Sequence, residues 1–112
     1  FLKARNKSFK LSSLPYIAPE ILKNESFDKI SDIYSIGILI WEIFSRSKIY
    51  PEYTHSKNLK IHILNLGRPD LSKLDSNTPD ELIELMKKCW LKPSDRPTVQ
   101  EIRRVIIELI NY

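Results

Sequence analysis

At 112 residues, about 42% of them hydrophobic, the chain has material for one core and not for two. Its 18 basic and 14 acidic residues leave a net charge of +4, and because the basic residues are spread out rather than gathered in one block, this is a weak signature of nucleic-acid binding. A single cysteine, Cys89, excludes an internal disulfide and a multi-cysteine metal site. No stretch approaches the roughly 20 apolar residues of a membrane span and no signal-peptide pattern opens the chain, so a cytoplasmic location is the default expectation.

The chain opens on Phe1 rather than methionine, which implies a processed product or a piece of something longer. Residues 1–14 mix lysines with serines without a period and read as loop. Lys3, Arg5, Lys7 and Lys10 form a loose basic cluster there, of the kind expected in a solvated terminus. Pro15 and Pro19 then bracket Tyr16, Ile17 and Ala18. Each proline drives the residue before it out of helical dihedrals, so a first short helix can begin only at Pro19 and is expected over about 19–24.

From Ser31 to Phe44 the chain reads Ser-Asp-Ile-Tyr-Ser-Ile-Gly-Ile-Leu-Ile-Trp-Glu-Ile-Phe. Apolar residues point in every direction around a helical axis, as in a helix covered on all sides. A buried strand is the rival reading, but fourteen residues exceed a usual strand. Ser31 is the expected N-cap, with Asp32 in the first turn where an acid favours the helix dipole. Asp32 and Glu42 are carboxylates on an element expected to be largely covered, and each then needs a partner. Gly37 costs a helix interior about 1 kcal/mol relative to alanine and suggests close packing against its backbone.

Residues 45–54 read as an irregular surface connection. A helix over about 56–66 presents Leu59, Ile63 and Leu66 on one face, with Gly67 where a left-handed C-cap would stand and Pro69 forbidding continuation. Residues 68–77 read as loop. Thr78 as N-cap, Pro79 at the first helical position and Glu81 three residues after the cap form a capping box opening a helix over about 79–90. Its apolar face carries Leu82, Leu85, Met86, Cys89 and Trp90. Cys89 fits a core thiol better than a nucleophile, since His55 and His62 stand in another segment with no triad pattern. After a hinge at Lys92–Pro97, Thr98 and Glu101 form a second capping box for a helix over about 99–110. The expected fold class is all-α, with a central buried helix and four others around it.

Taken together and in order, Tyr16-Ile17-Ala18-Pro19-Glu20, Ser31-Asp32-Ile33-Tyr34-Ser35-Ile36-Gly37, Trp41-Glu42, Gly67-Arg68-Pro69, Lys88-Cys89-Trp90 and Asp95-Arg96-Pro97-Thr98 resemble the C-terminal lobe of a protein kinase domain. Trp41-Glu42 and Cys89-Trp90 look like the tyrosine kinases and the tyrosine-kinase-like group, while Leu14-Pro15-Tyr16 lacks the tryptophan typical of tyrosine kinases. The mixture points to the tyrosine-kinase-like group with serine/threonine specificity.

The resemblance implies that residues 1–14 are an activation-segment-like loop and 15–112 a partial kinase domain. It implies an ion pair between Glu20 and Arg96, with Ala18, Pro19, Glu20, Asp32, Gly37, Trp41, Trp90 and Arg96 supporting an active site and Ser13, Leu14, Pro15 and Tyr16 positioning the substrate. Ser12 and Ser13 depart from the glycine and threonine usual in serine/threonine kinases. Asp32 would hold the backbone of a catalytic loop that this sequence lacks, and so would face solvent or an unfilled gap.

Phosphoryl transfer in this family needs a glycine-rich phosphate cover, a strand lysine, a His-Arg-Asp-type loop and an Asp-Phe-Gly metal site. None occurs: neither His55 nor His62 precedes Arg-Asp, and no aspartate precedes Phe-Gly. ATP and Mg would therefore belong to the parent domain, with no cofactor or metal held by this chain, and its partners would be protein substrates and the N-terminal half of the domain. The alternative is a non-catalytic, kinase-derived module that docks partners through the helix at 56–66. A small basic nucleic-acid binder is the third and weakest reading, since the positive charge is not clustered.

Overall fold

The structure, a computed structural model, describes residues 9–23 and 28–111. Lys3, Arg5 and Lys7 of the basic cluster lie outside that range, as do most of the expected N-terminal loop and Asn24. The described residues are helical and carry no strand. Five α-helices follow one another: α1 Pro19–Leu22, α2 Lys29–Ser45, α3 Ser56–Leu64, α4 Asp80–Cys89 and α5 Val99–Ile110. Single 3-10 turns stand at Leu14–Tyr16, Leu71–Lys73 and Pro93–Asp95.

The central helix is longer than its apolar run because its cap lies further upstream. Asp28, in extended conformation, accepts a hydrogen bond from the Ile30 amide at 3.2 Å. Ser31, the expected cap, instead sits inside the first turn. Arg46, in the left-handed region at φ 51°, closes the helix.

Helix α2 packs most extensively on α4, which packs in turn on α5; the 3-10 turn at Leu14–Tyr16 lies against α2 and α3, and α1 lies against α3. Ile33, Tyr34, Ile38 and Trp41 are buried between these elements. Burial of each isoleucine contributes about 1.5–3 kcal/mol. The expectation of cover on every side needs correction, because Leu39 and Ile43 are exposed. With Asp32, also exposed, they recur at the spacing that makes one stripe down the helix. Core is added from an unexpected source: Ile49 and Tyr50, in the connection read as surface, are buried.

Two helix ends differ from the sequence reading in instructive ways. Helix α3 stops at Leu64 with Asn65 as C-cap. Leu66, not Gly67, takes the left-handed conformation, at φ 70°. Gly67 N–H donates to His62 O at 2.8 Å and Leu66 N–H to Ile63 O at 3.1 Å, which is the Schellman pattern of bonds. Gly67 is instead required by space, since a Cβ there would collide with the His62 ring. Leu66 thereby leaves the apolar face and is exposed.

At α4 the expected capping box does not form. Pro79 is the N-cap, and no side chain caps the helix. The Thr78 amide turns back to Asp75 O at 2.9 Å, and its hydroxyl is buried without a partner. The second box forms as read: Glu101 N–H donates to Thr98 Oγ1 at 3.1 Å and Thr98 N–H to Glu101 Oε1 at 3.2 Å.

Candidate functional site

Proline fixes the entry to α1, and the entry fixes Glu20. Ala18 is extended, Pro19 occupies the first helical position, and the carboxylate of Glu20 is thereby carried inward toward the turn that follows α4. Arg96 meets it there. Arg96 Nη1 donates to Glu20 Oε2 at 2.7 Å and Nη2 to Oε1 at 2.8 Å, in the fork-to-fork geometry that makes arginine–carboxylate pairs strong. The two side chains are 1% and 11% exposed.

A buried pair is stable only where its remaining donors and acceptors are also satisfied, and here they are. Ser31 Oγ donates to Glu20 Oε2 at 2.8 Å, Arg96 Nε donates to Leu91 O at 2.8 Å, and Arg96 Nη1 also donates to Ile30 O at 2.9 Å. The displaced N-cap candidate has thus become a ligand of the ion pair. Burial by itself raises the Glu20 pKa; the hydrogen bonds from Arg96 and Ser31 and the charge of Arg96 override it and hold the carboxyl below its usual range.

Tyr34 forms the floor of this cluster. Its ring is 5.3 Å from the Arg96 guanidinium and 5.1 Å from that of Arg68, within the range of cation–π attraction. Arg68 Nε donates to Trp90 O at 3.2 Å. Gly37, one helical turn beyond Tyr34, admits Trp90 and Cys89: a Cβ there would lie 2.6 Å from the Cys89 Cβ and 2.7 Å from Trp90 Nε1. The close packing suggested by this glycine is therefore present. Trp41 Nε1 donates to Asp70 O at 2.9 Å. Burial pushes the Cys89 thiol up to about 11, which leaves it protonated and inert.

The stretch before α1 has a second anchor. Tyr16 Oη donates to Glu42 Oε1 at 2.7 Å and Ser35 Oγ donates to Tyr16 O at 2.6 Å. Glu42 thus has the partner that its place on α2 demands. Burial and then the Glu42 hydrogen bond push the Tyr16 phenol up to about 12. Leu14 and Pro15 are buried and Ser13 is exposed, so the residues read as substrate-positioning divide between the core and the surface.

Two cavities flank this stretch. One, of about 500 Å³, is lined by Leu11, Pro15, Tyr16, Glu42, Tyr50 and Tyr53 among others. The other, of about 380 Å³, is lined by Ser12, Ser13, Tyr16, Ser31, Asp32 and Ser35 among others. Asp32 is exposed and lines the second cavity, against the cover its helix position suggested and in the solvent-facing place the resemblance implied. Among the described residues no three His, Cys, Asp or Glu side chains are grouped to hold a metal ion. Among the described residues no helix is long and apolar enough to cross a membrane.

The family described as protein tyrosine and serine/threonine kinase matches residues 3–106. This chain belongs to that kinase family. It is 32% identical over 100 residues to a probable LIM domain-containing serine/threonine-protein kinase of Dictyostelium discoideum, covering 88% of this chain and 10% of the relative. It is 32% identical over 102 residues to human mitogen-activated protein kinase kinase kinase 7, covering 89% of this chain and 16% of the relative. A dual specificity protein kinase of Dictyostelium discoideum is 31% identical over 99 residues, covering 83% of this chain and 18% of the relative. The chain thus spans less than a fifth of each of these kinases. The all-helical architecture agrees with that of a kinase C-lobe segment.

Sequence reasoning found Glu20, Arg96 and Gly37 but missed Ser31 as a ligand of the ion pair, Arg68 as the second cation on Tyr34, and the Tyr16–Glu42 bond. Glu42 carried a signal for the last, being a carboxylate on an apolar helix. The others carried none that outranked their ordinary readings.

Proposed function

We propose that this chain is the C-lobe portion of a protein kinase that transfers the ATP γ-phosphate to serine or threonine of protein substrates, and that the 112-residue chain is incompetent for that transfer alone. The supporting observation is the buried Glu20–Arg96 pair. It ties the end of the stretch that would carry the substrate to the last two helices, and so holds that stretch where a catalytic loop from the upstream part of the domain would meet it. Ser13, Leu14, Pro15 and Tyr16 would position the substrate, with the cavity beside Tyr16 receiving its side chain. Ala18, Pro19, Glu20, Gly37, Trp41, Trp90 and Arg96 would keep that surface in place, and Asp32 would orient the catalytic loop.

ATP with Mg supplies the phosphoryl group and its charge neutralisation in this family, and both would be held by the N-terminal half of the domain. On this reading residues 1–14 are an activation-segment-like loop and 15–112 a partial kinase domain. Protein substrates and that N-terminal half are its partners, in the cytoplasm. One relative is a probable serine/threonine-protein kinase and another a dual specificity protein kinase, which supports transfer to serine or threonine.

The test is phosphate transfer from γ-labelled ATP to a mixed peptide library, by this chain and by the chain extended through its own upstream coding sequence. The short chain is expected to transfer nothing, and the extended one to label serine and threonine. Transfer by the short chain alone, or an upstream sequence without His-Arg-Asp and Asp-Phe-Gly, would contradict the proposal.

A further inference from the structure

A groove of about 520 Å³ opens where α1, the turn after α3, and the end of α4 with the chain following it converge. Its walls are apolar. Leu66, Leu71 and Leu91 line it and are all exposed, with prolines between them. Its charges are nearly all of one sign. Among the described residues Lys23, Arg68, Lys87, Lys92 and Arg96 border it, and the acid that lines it, Glu20, is bonded to Arg96; Lys87 and Lys92 make only exposed pairs, with Glu84 at 3.3 Å and Asp95 at 3.8 Å.

Arg68 is held without a counter-charge. It is half-buried, and its Nε and Nη1 donate to the carbonyls of Trp90, Ile63 and Gly67. Those neutral acceptors orient the guanidinium without cancelling its charge, and among the described residues it meets no carboxylate. A half-buried cation beside an apolar surface attracts an anion more strongly than an exposed one does, because water screens it less.

Leu66 stands in the left-handed region at φ 70° as the residue that closes the Schellman turn after α3, and that turn carries its side chain out to 79% exposure at the groove.

We propose that this groove docks an acidic peptide segment of a partner protein. Bulky apolar side chains of the peptide would lie between Leu66, Leu71 and Leu91, and its carboxylates would face Arg68 and the rim lysines Lys23, Lys87 and Lys92. A bare phosphate would meet the cations and leave the leucines uncovered. No residue lines both this groove and the cavity beside Tyr16, and the docking site does not depend on phosphotransfer.

The probe is a fluorescein-labelled peptide, Asp-Leu-Glu-Glu-Leu-Leu-Asp-Glu, followed by anisotropy against the full chain. It is expected to bind, with affinity falling as salt rises. The same peptide with every acid replaced by its amide is expected to bind at least about tenfold more weakly. Lys23→Glu, Lys87→Glu and Lys92→Glu together, all at exposed positions, should abolish binding without altering the circular dichroism. Leu66→Asn suits the left-handed backbone, so it should keep the fold and weaken binding about tenfold. Equal binding of the amide peptide, unchanged binding by either variant, equal competition by poly-aspartate or inorganic phosphate, or binding to phosphatidylserine vesicles in place of the peptide would each overturn the proposal.

Discussion

Tyr16 and Glu20 are close in sequence, and each fastens the same stretch of chain to a distant element, yet the two tethers are built differently. Glu20 meets a full positive charge inside the protein, through two parallel hydrogen bonds, with Ser31, Ile30 O and Leu91 O completing the shell. Tyr16 offers one neutral hydroxyl to Glu42 in a partly buried setting. The first couples parts of the chain 76 residues apart and can be lost only by stranding a charge in the interior. The second can fail on one side and leave Glu42 within reach of water. Tether strength therefore depends less on the number of hydrogen bonds than on what remains behind when one partner goes.

The largest expected effect follows directly. Arg96→Ala and Glu20→Ala should each lower unfolding free energy by about 3–5 kcal/mol, because each leaves an uncompensated buried charge, as read by urea denaturation. A loss below about 1 kcal/mol, the scale of an exposed pair, would erase the distinction between the tethers. Gly37→Ala is next, at about 1–3 kcal/mol, since its Cβ would meet a Cys89 Cβ that cannot swing aside. Tyr16→Phe removes one hydrogen bond to a charged group and should cost about 1.5 kcal/mol; a cost matching that of Arg96→Ala would show the second tether to be as unforgiving as the first.

The tethers should also separate by pH. Glu20 has a depressed folded pKa, so its contribution is complete above the unfolded value near 4.5 and is lost as pH falls through the lower folded value. Tyr16 has a raised one, so its contribution is complete below pH 10 and is lost as pH climbs from 10 toward about 12. Tyr34, pushed up to about 12 mainly by burial, shares that alkaline window. Chemical denaturation across pH should show Glu20→Gln flattening the acid limb, and Tyr16→Phe flattening only part of the alkaline one. The reverse assignment would contradict the geometry.

The smallest expected effects come from two threonines in the same sequence pattern. Thr98→Val should cost about 1 kcal/mol by removing a working N-cap. Thr78→Val, at a hydroxyl buried without a partner, should be neutral or stabilising. Equal losses in thermal melts would mean that Thr78 caps α4 after all.

Those threonines also mark how far the sequence could be read. Helical spacing located α3, α4 and α5, because a 3.6-residue period reports directly on which face is buried, while prolines placed α1 and the length of the apolar run placed α2. Caps were legible only where the local motif had no rival. Thr98 had none, whereas Thr78 follows a turn whose carbonyl, Asp75 O, takes its amide. Ser31 looked like a cap by local pattern, but Glu20, eleven residues upstream, claims its hydroxyl. Gly67 was expected as the left-handed C-cap, but Leu66 takes the positive φ and Gly67 instead lies close against the His62 ring. Leu39 and Ile43 read as core because hydrophobicity states a preference for burial, not whether the chain supplies the cover. The Glu20–Arg96 pair emerged only through the family resemblance, because no local rule joins residues so far apart.

The most direct test of the account is the double-mutant cycle on Glu20 and Arg96, with unfolding free energies of the wild type, Glu20→Ala, Arg96→Ala and the double variant. The account expects the double variant to be little worse than either single one, giving a coupling energy of about 2 kcal/mol or more. Losses that add to within about 0.5 kcal/mol would mean that the two side chains do not depend on each other, and the tether on which the proposed function rests would not exist.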